Sequence, residues 1–326
     1  MILAVSYRED LHSVAVQHAV RSRGHDFHIV ECDTIGGRAA LSWHSHGAGK
    51  SHAPGRATLV TSEGATVDPE EASRLWWRRA RADQEISERV SSAHQRSLIN
   101  NDCRGALAGV LAAAFHGDWI SSPEATDRSS DKVYQLAVAR QAGFRVPQTL
   151  VSQSREDVIA FTQEVGRTIV KPVVGARGPS LYTSWVDGPE SIPEGSFEVC
   201  PATYQEYIEG NRHVRLNCFG DHMYGALIAT EALDWRPDLN VPISAWPVPE
   251  YVSRQVEEVL RRLGLRMGVV DLKLTPEGEP VWLEVNPQGQ FLFLEPLTGQ
   301  PLTELFADFL LSAAASWTGP AVQSTR

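Results

Sequence analysis

The chain has few cysteines, a deficit of basic charge and no long apolar run. Cys32, Cys103, Cys200 and Cys218 are the four cysteines of 326 residues. They stand far apart with no Cys-x-x-Cys pair, which argues against a zinc knuckle or a disulfide framework and predicts a reducing, cytoplasmic setting. Thirty Lys and Arg face forty Asp and Glu, a net charge of -10. That balance disfavours tracking a phosphate backbone, so no nucleic-acid partner is expected, although a local basic groove stays open. The N-terminal apolar run is broken by Arg8, Glu9 and Asp10 and is too short for a signal-peptide core. The stretch from Leu305 to Trp317 carries Asp308 and falls short of the ~20 residues a membrane span needs. No membrane association and no internal repeat are expected, and the length allows two or three modules with separate cores.

A complete phosphate-binding Walker loop is also missing. "WHSHGAGKSH", Trp43 to His52, ends its glycine-lysine-serine motif at Gly49, Lys50 and Ser51, but His44 occupies the position of the first required glycine. Such a loop follows a strand and opens a helix, whereas Pro54, Gly55 and a further short strand follow here. The spacing of His44, His46 and His52 in this turn-rich setting fits an exposed hairpin loop rather than a metal site.

What is present begins as β-α-β: a strand at Ile2 to Ser6, a helix from about His12 to Arg21 stopped by Gly24, and a strand at Phe27 to Val30. That order predicts a parallel α/β layer. Short strands follow at Leu41 to His44, Ala57 to Thr61 and Ala65 to Val67, and 85–115 reads mostly as helix. Ser129 or Ser130 is placed to cap the next helix, with Val133, Leu136 and Ala137 on its buried side and Gly143 and Pro147 at its end. Strands then dominate, in "TIVKPVVG", "YQEYI", "HVRLNCF" and "MYGALIA". A helix with Val252, Val256, Val259, Leu260 and Leu263 on one face ends at Gly264. Two strands, Gly268 to Leu274 and Pro280 to Asn286, precede a last helix whose apolar positions are Leu302, Leu305, Phe306, Phe309, Leu310 and Ala313.

The hairpin "GVVDLKLTPEGEPVWLEVN" carries the chemistry. A two-residue Glu277-Gly278 loop would set Asp271 opposite Glu284, and the period of two would return Asn286 to the same face. Two carboxylates paired across a sheet repel unless compensated. Either a hard cation such as Mg²⁺ does this, or Lys273 or an arginine neutralises an exposed polar face. Lys171, inside an apolar strand, needs a partner or an anion. Lys132, in the first turn of its helix, sits at the wrong end of the macrodipole unless an anion joins it. The Gly175 to Gly178 turn after the Lys171 strand could approach phosphate closely.

In order and spacing these features resemble the ATP-grasp ligases over about residues 118–317, most specifically in "LEVNPQGQF". With the opening β-α-β unit, "LWWRR" at Leu75 to Arg79 and "DWR" at Asp234 to Arg236, nearly the whole chain resembles the microviridin-type, or graspetide, peptide maturases. The resemblance implies an α/β fold: an N-terminal α/β pre-ATP-grasp domain over 1–120, a central ATP-grasp lobe over 121–203, and a C-terminal lobe with the metal site over 204–326.

It also implies ATP and Mg²⁺ as cofactors and a precursor peptide, leader plus core, as substrate. By the same resemblance Lys132 and Lys171 would hold the α- and β-phosphates, with Gly175, Arg177 and Gly178 closing over the nucleotide. Gln205, Glu206, Tyr207 and Ile208 would line adenine. Related ligases commonly carry an acid where this chain has His213, so either His213 or Glu209 would meet the ribose. Asp271, Glu284 and Asn286 would ligate Mg²⁺. Arg215, Arg236 and Lys273 would be catalytic, Arg215 at the γ-phosphate and Arg236 at the substrate carboxylate. The implied product is an ester or amide ring within the peptide. A ligase adding free amino acids, like the ribosomal-protein glutamate ligases, and a non-catalytic nucleotide-binding regulator are the alternatives, and a homodimer is left open.

Overall fold

The computed structural model describes residues 1–45, 56–174 and 183–312. Its first part contains β1 (Ile2–Ser6), α1 (Leu11–Ser22), β2 (Phe27–Glu31), β3 (Ala40–His44), β4 (Arg56–Val60), β5 (Thr66–Val67), β6 (Arg74–Trp77), α2 (Ala93–Ala114) and β7 (Asp118–Ile120). A parallel sheet runs in the order β2-β1-β6-β7. α1 covers one face, where Val16, Ala19 and Val20 meet Ile2, Ala4 and Trp76. α2 covers the other, where Leu107, Val110 and Leu111 meet Leu3, Val5, Leu75 and Trp77. Both faces are buried, so the adjacent tryptophans of "LWWRR" both serve as core. The expected long helix starts only at Ala93, where Ser92 caps it by accepting from Gln95 N–H.

β3, β4 and β5 form a small antiparallel sheet. The glycine-lysine-serine motif and His46 to Gly55 lie outside the described residues. β3 and β4, on either side of them, pair antiparallel, so the next described element is a strand and not the helix that a phosphate loop opens.

Next come α3 (Pro123–Arg128), α4 (Lys132–Gln141), β8 (Thr149–Ser152), α5 (Arg155–Val165), β9 (Thr168–Pro172), β10 (Ser184–Val186) and β11 (Ala202–Glu206). The strands form one sheet in the order β10-β9-β11-β8, packed on α5 through Val158, Val186 and Tyr204. The cap of α4 is Asp131, which accepts from Tyr134 N–H at 3.0 Å, while Ser129 ends α3 instead. The buried face of α4 is correspondingly Gln135, Val138 and Ala139, with Val133 51% exposed. Apolar spacing missed this phase because the residue nearest the neighbouring strand is a glutamine.

The chain continues with β12 (Arg212–Phe219), β13 (His222–Ala229), β14 (Ile243–Trp246), α6 (Glu250–Leu263), β15 (Met267–Leu274), β16 (Pro280–Asn286), α7 (Glu295–Thr298) and α8 (Leu302–Leu311). The strands form an antiparallel sheet in the order β14-β13-β12-β15-β16. All five predicted apolar positions of α6 are buried, and Gly264 closes the helix at φ 77°, a left-handed cap that only glycine adopts cheaply. Val214, Leu216, Val270, Leu272, Trp282 and Val285 pack under α4 and α6. The period of two therefore sends His213, Arg215, Asp271 and Lys273 to the opposite face.

The β15–β16 hairpin reaches the expected pair by a different route. Its loop has three residues, not two: Thr275 N–H bonds Glu279 O, Gly278 N–H bonds Thr275 O, and Gly278 takes φ 91°. This register alone would set Asp271 opposite Leu283. A β-bulge at Leu283, between the pairs Leu272–Trp282 and Asp271–Glu284, inserts one extra residue and brings Glu284 back to face Asp271.

Candidate functional site

Asp271 and Glu284, paired across β15 and β16, share a polar pocket of about 270 Å³ with Lys132, Lys171, His213, Asp234, Trp235 and Arg236. Each carboxylate already meets a cation. Arg215 Nη1 donates to both oxygens of Asp271 at 2.9 Å, and Lys132 Nζ lies 2.9 Å from Glu284 Oε2. Burial pushes the Asp271 carboxyl above its ordinary range, with Arg215 only partly opposing it. At Glu284 burial acts the same way, but Lys132 and Lys171 outweigh it and hold the carboxyl below its ordinary range.

Lys171 is the most exposing of the pocket's chemistry. Its hydrogen-bond partner among the described residues is the neutral amide of Gln205, at 2.9 Å. Burial lowers its pKa to about 8, against the pull of Glu284 and with the push of Lys132. A desolvated ammonium that lacks a hydrogen-bonded counter-ion attracts an anion.

The arginines are held as carefully. The Arg215 guanidinium lies 5.5 Å from the Trp235 ring and 5.9 Å from the Phe293 ring, its Nη2 reaches Gln290 O at 3.4 Å, and its buried Nε has no hydrogen-bond partner among the described residues. Arg236 Nε donates to Asp234 Oδ1 at 2.8 Å and Nη2 to Asp234 Oδ2. Burial opposes ionisation of Asp234, but these bonds prevail and keep its carboxyl low. His213 is buried, its Nε2 has no partner among the described residues, and burial followed by the Lys273 charge lowers its pKa to about 4. It is therefore neutral at pH 7 and can donate or accept.

Other expected residues stand apart. Lys273 shares the sheet face but does not line this pocket; its Nζ lies 4.5 Å from the Tyr207 ring centroid. The other neighbours of Tyr207 are Trp185, at 4.6 Å between ring centroids, and the Arg167 guanidinium, at 4.4 Å. Gln205 and Ile208 are buried, while the Glu206 carboxylate faces away, bonded by Arg145 Nη2 at 3.1 Å and Gln148 N–H at 3.0 Å. Asn286 does not line this pocket. It is exposed, caps Gln288 N–H at 2.9 Å and lines a neighbouring hollow, because β16 ends there and the chain turns away. Gly175, Arg177 and Gly178 lie outside the described residues.

Sequence reasoning missed the residues that fix this face. Gln135, 2% exposed, bonds both backbone groups of Val285, between Glu284 and Asn286: Oε1 accepts from its N–H at 2.8 Å and Nε2 donates to its carbonyl at 2.8 Å. Its three-residue offset from Lys132 puts both on the side of α4 that faces β16. From the first sheet, Arg78 is wholly buried, bonds both oxygens of Asp10 and donates to Gly289 O at 3.2 Å. His12 Nε2 accepts from Phe291 N–H at 2.9 Å and Leu292 N–H at 3.2 Å. Burial, then Arg78, lowers the His12 pKa to about 4, which suits an acceptor nitrogen. No spacing rule links Asp10, His12 and Arg78 to 286–292.

A roomier cavity of about 580 Å³ lies between the β12–β13 turn, α6 and α8. Its lining mixes Leu260, Leu265 and Phe309 with scattered charges and has no opposed carboxylate–lysine set, so the smaller pocket is the better candidate for chemistry. No helix among the described residues is long and apolar enough to cross a membrane.

No protein-family model matches the chain. A tetrahydromethanopterin:alpha-L-glutamate ligase of Methanosarcina acetivorans is 29% identical over 122 residues, 33% of this chain and 38% of that protein. The match therefore spans well under half the length of that curated relative. Solved structures match from end to end, and two illustrate the likeness. The macrocyclase MdnC of Microcystis aeruginosa MRC, bound with the precursor peptide MdnA, is 25% identical with a TM-score of 0.84, covering 96% of this chain and 99% of that one. A RiPP-associated ATP-grasp ligase of Chryseobacterium gregarium, in complex with ADP and a leader and core peptide, is 24% identical with a TM-score of 0.84, covering 95% and 96%.

Proposed function

We propose, from the premise that this chain has the ATP-grasp ligase fold over nearly its whole length, that it is an ATP-dependent carboxylate ligase closing ester or amide links within a precursor peptide. The observation that carries the reading is the end-to-end match, first sheet included, to a macrocyclase bound with its precursor.

The pocket fits a nucleotide and a divalent ion on its own chemistry. Four cations, Lys132, Lys171, Arg215 and Arg236, face three carboxylates, and Lys171 in particular is short of negative charge. Asp271 and Glu284 offer the hard oxygen donors that Mg²⁺ prefers, with Asn286 two residues further along β16. In this reading Lys132 and Lys171 bind the α- and β-phosphates beside the Gly175, Arg177 and Gly178 turn, the Gln205-Glu206-Tyr207-Ile208 segment borders adenine, and His213 meets the ribose. Mg²⁺ held by Asp271, Glu284 and Asn286 would neutralise phosphate charge when bound.

With ATP as co-substrate, the peptide carboxylate takes the γ-phosphoryl group, and a hydroxyl or amine then attacks the acyl phosphate and expels phosphate. Arg215 stabilises the developing charge: Asp271, Gln290 and the Trp235 ring hold its plane in place, and its unsatisfied buried Nε is a donor for an incoming oxyanion. Arg236 orients the incoming carboxylate from the pocket rim. Lys273, against Tyr207, acts by supporting the nucleotide segment. The setting is cytoplasmic, in keeping with four unpaired cysteines.

The glutamate-ligase relative favours a second reading, addition of a free amino acid. One experiment separates them: mass spectrometry of candidate precursor peptides incubated with protein, ATP and Mg²⁺. Ring closure removes one water per link, whereas amino-acid ligation adds a residue. Gain of residues without any loss of water would discard the macrocyclase reading.

A further inference from the structure

The first sheet contains a crevice that the ligase chemistry above does not use. β1 and β6 are adjacent and parallel. From β1 the chain passes through α1 to β2 on one side, and from β6 through α2 to β7 on the other, with α1 and α2 on opposite faces. In open α/β sheets, ligands bind at such a reversal, outside the carboxyl ends of the two strands. Tyr7 directly follows β1 and Arg79 follows β6 by two residues.

These residues, with Arg81, Asn286 and Gln288, line a hollow of about 460 Å³. Arg81 is bonded to the exposed Asp127. Arg79 is partly buried, and no described carboxylate forms an ion pair with it. In a chain of net charge -10, a hollow whose described lining has two guanidinium groups, one of them in no ion pair with a described carboxylate, and no acid favours an anion locally. It opens beside the candidate active pocket, because Asn286 lies two residues from Glu284, a separation of ~7 Å along a strand. Side chains two apart in an extended peptide have the same spacing.

We propose that this hollow is a second carboxylate subsite, in which Arg79, assisted by Arg81, holds a non-reacting acidic side chain of the peptide substrate two residues from the one delivered to the Lys132–Glu284 pocket. The inference rests on the peptide-ligase reading and deepens it. A guanidinium grips a carboxylate bidentately, which fixes direction as well as charge. The Tyr7 and Gln288 side chains supply neutral hydrogen-bonding groups around it. The subsite would thus choose which acid reacts, by registering its neighbour.

The test is binding of short fluorescein-labelled peptides of alternating Thr and Glu, or alternating Thr and Gln, to the full chain with ADP and Mg²⁺ present, read by anisotropy. Wild type should prefer the Glu peptide by about tenfold or more. Arg79→Gln should remove most of that ratio, Arg79→Lys should keep part of it, and ADP affinity should not change. Equal binding of the two peptides by wild type, or an undiminished ratio in Arg79→Gln, overturns the subsite. The precursor assay is read separately. Rings formed by wild type together with an undiminished ratio in the variant remove the subsite alone, whereas no turnover of any peptide by wild type removes the ligase reading and the subsite with it.

Discussion

Replacing Arg78 with methionine tests whether the first sheet sets the geometry of the candidate active face. Arg78 and Asp10 are 0% and 1% exposed, so the substitution leaves a carboxylate buried with no cation. Breaking one partner of such a pair costs about 3–5 kcal/mol. With a denaturant slope of ~2 kcal/mol per molar, the urea midpoint should fall by about 2 M. Trp76, Trp77 and Trp119 lie in or beside this sheet, and their fluorescence reports its unfolding. The sign of the pH effect follows. Burial alone would raise the Asp10 carboxyl, and Arg78 is what brings it below its ordinary value. In Arg78→Met the carboxyl titrates high, the folded variant takes up a proton readily, and its deficit against wild type shrinks between pH 7 and pH 4.

The double variant Asp10→Asn/Arg78→Met separates stability from positioning. It removes both charges, keeps a side-chain acceptor for the α1 cap, presents an amide NH₂ from which Ser6 Oγ can accept, and should recover most of the lost midpoint. It does not restore the donor to Gly289 O. A misplacement of ~1 Å in the 286–292 turn can cost about 100-fold in rate, so turnover should stay ten- to 100-fold low at saturating substrate. Recovery of both stability and turnover in the double variant would refute the positioning role. A single-variant cost under about 1 kcal/mol would refute the burial argument.

Four further outcomes follow from the same geometry. Lys171→Met should weaken ADP binding at least tenfold by calorimetry; in wild type, affinity should fall as pH rises through about 8, where the ammonium discharges, and the variant should show no such fall. Asp271→Asn and Glu284→Gln should each lower turnover by at least about 100-fold with the far-ultraviolet circular dichroism unchanged, and retained activity would dismiss the metal assignment. His12 and His213, both near pKa 4 in the fold and near 6.5 unfolded, leave the unfolded chain binding more protons in that interval. Each should therefore cost stability as pH falls from 6.5 to 4, by about 1.4 kcal/mol per pH unit, measured by urea titration at several pH values. Gln135→Leu strands the N–H and carbonyl of Val285 and should cost about 2–4 kcal/mol, visible as early hydrogen exchange along β16.

Local pattern made much of the fold legible. α6 follows from apolar spacing and a terminal glycine because its packing partner is a plain apolar face. α4 does not, because Gln135 bonds backbone groups of the adjacent strand where an apolar residue was expected. The pairing of Asp271 with Glu284 was legible only by compensation. The loop is one residue longer than supposed, and the bulge at Leu283 supplies one residue in return. "VWLEV" carries the sign of that bulge, since three successive apolar residues break the alternation of a one-sided strand. Contacts from His12 and Arg78 to 289–292 span more than two hundred residues, and no periodicity reports a pairing created by the meeting of two sheets.

That meeting explains why the polar residues are distributed as they are. The antiparallel sheet has one face committed to α4 and α6, so its other face can carry His213, Arg215 and Asp271 without loss of core. Such a face specifies no ligand by itself. The turn after β16 gives it an edge, and side chains from outside the turn tether it: Arg215 to Gln290, Arg78 to Gly289, and His12 to Phe291 and Leu292. Catalytic and structural demands therefore coincide in 286–292. A substitution at Arg78 should be felt at the nucleotide pocket, while one at an equally buried core position such as Val259 should alter stability alone.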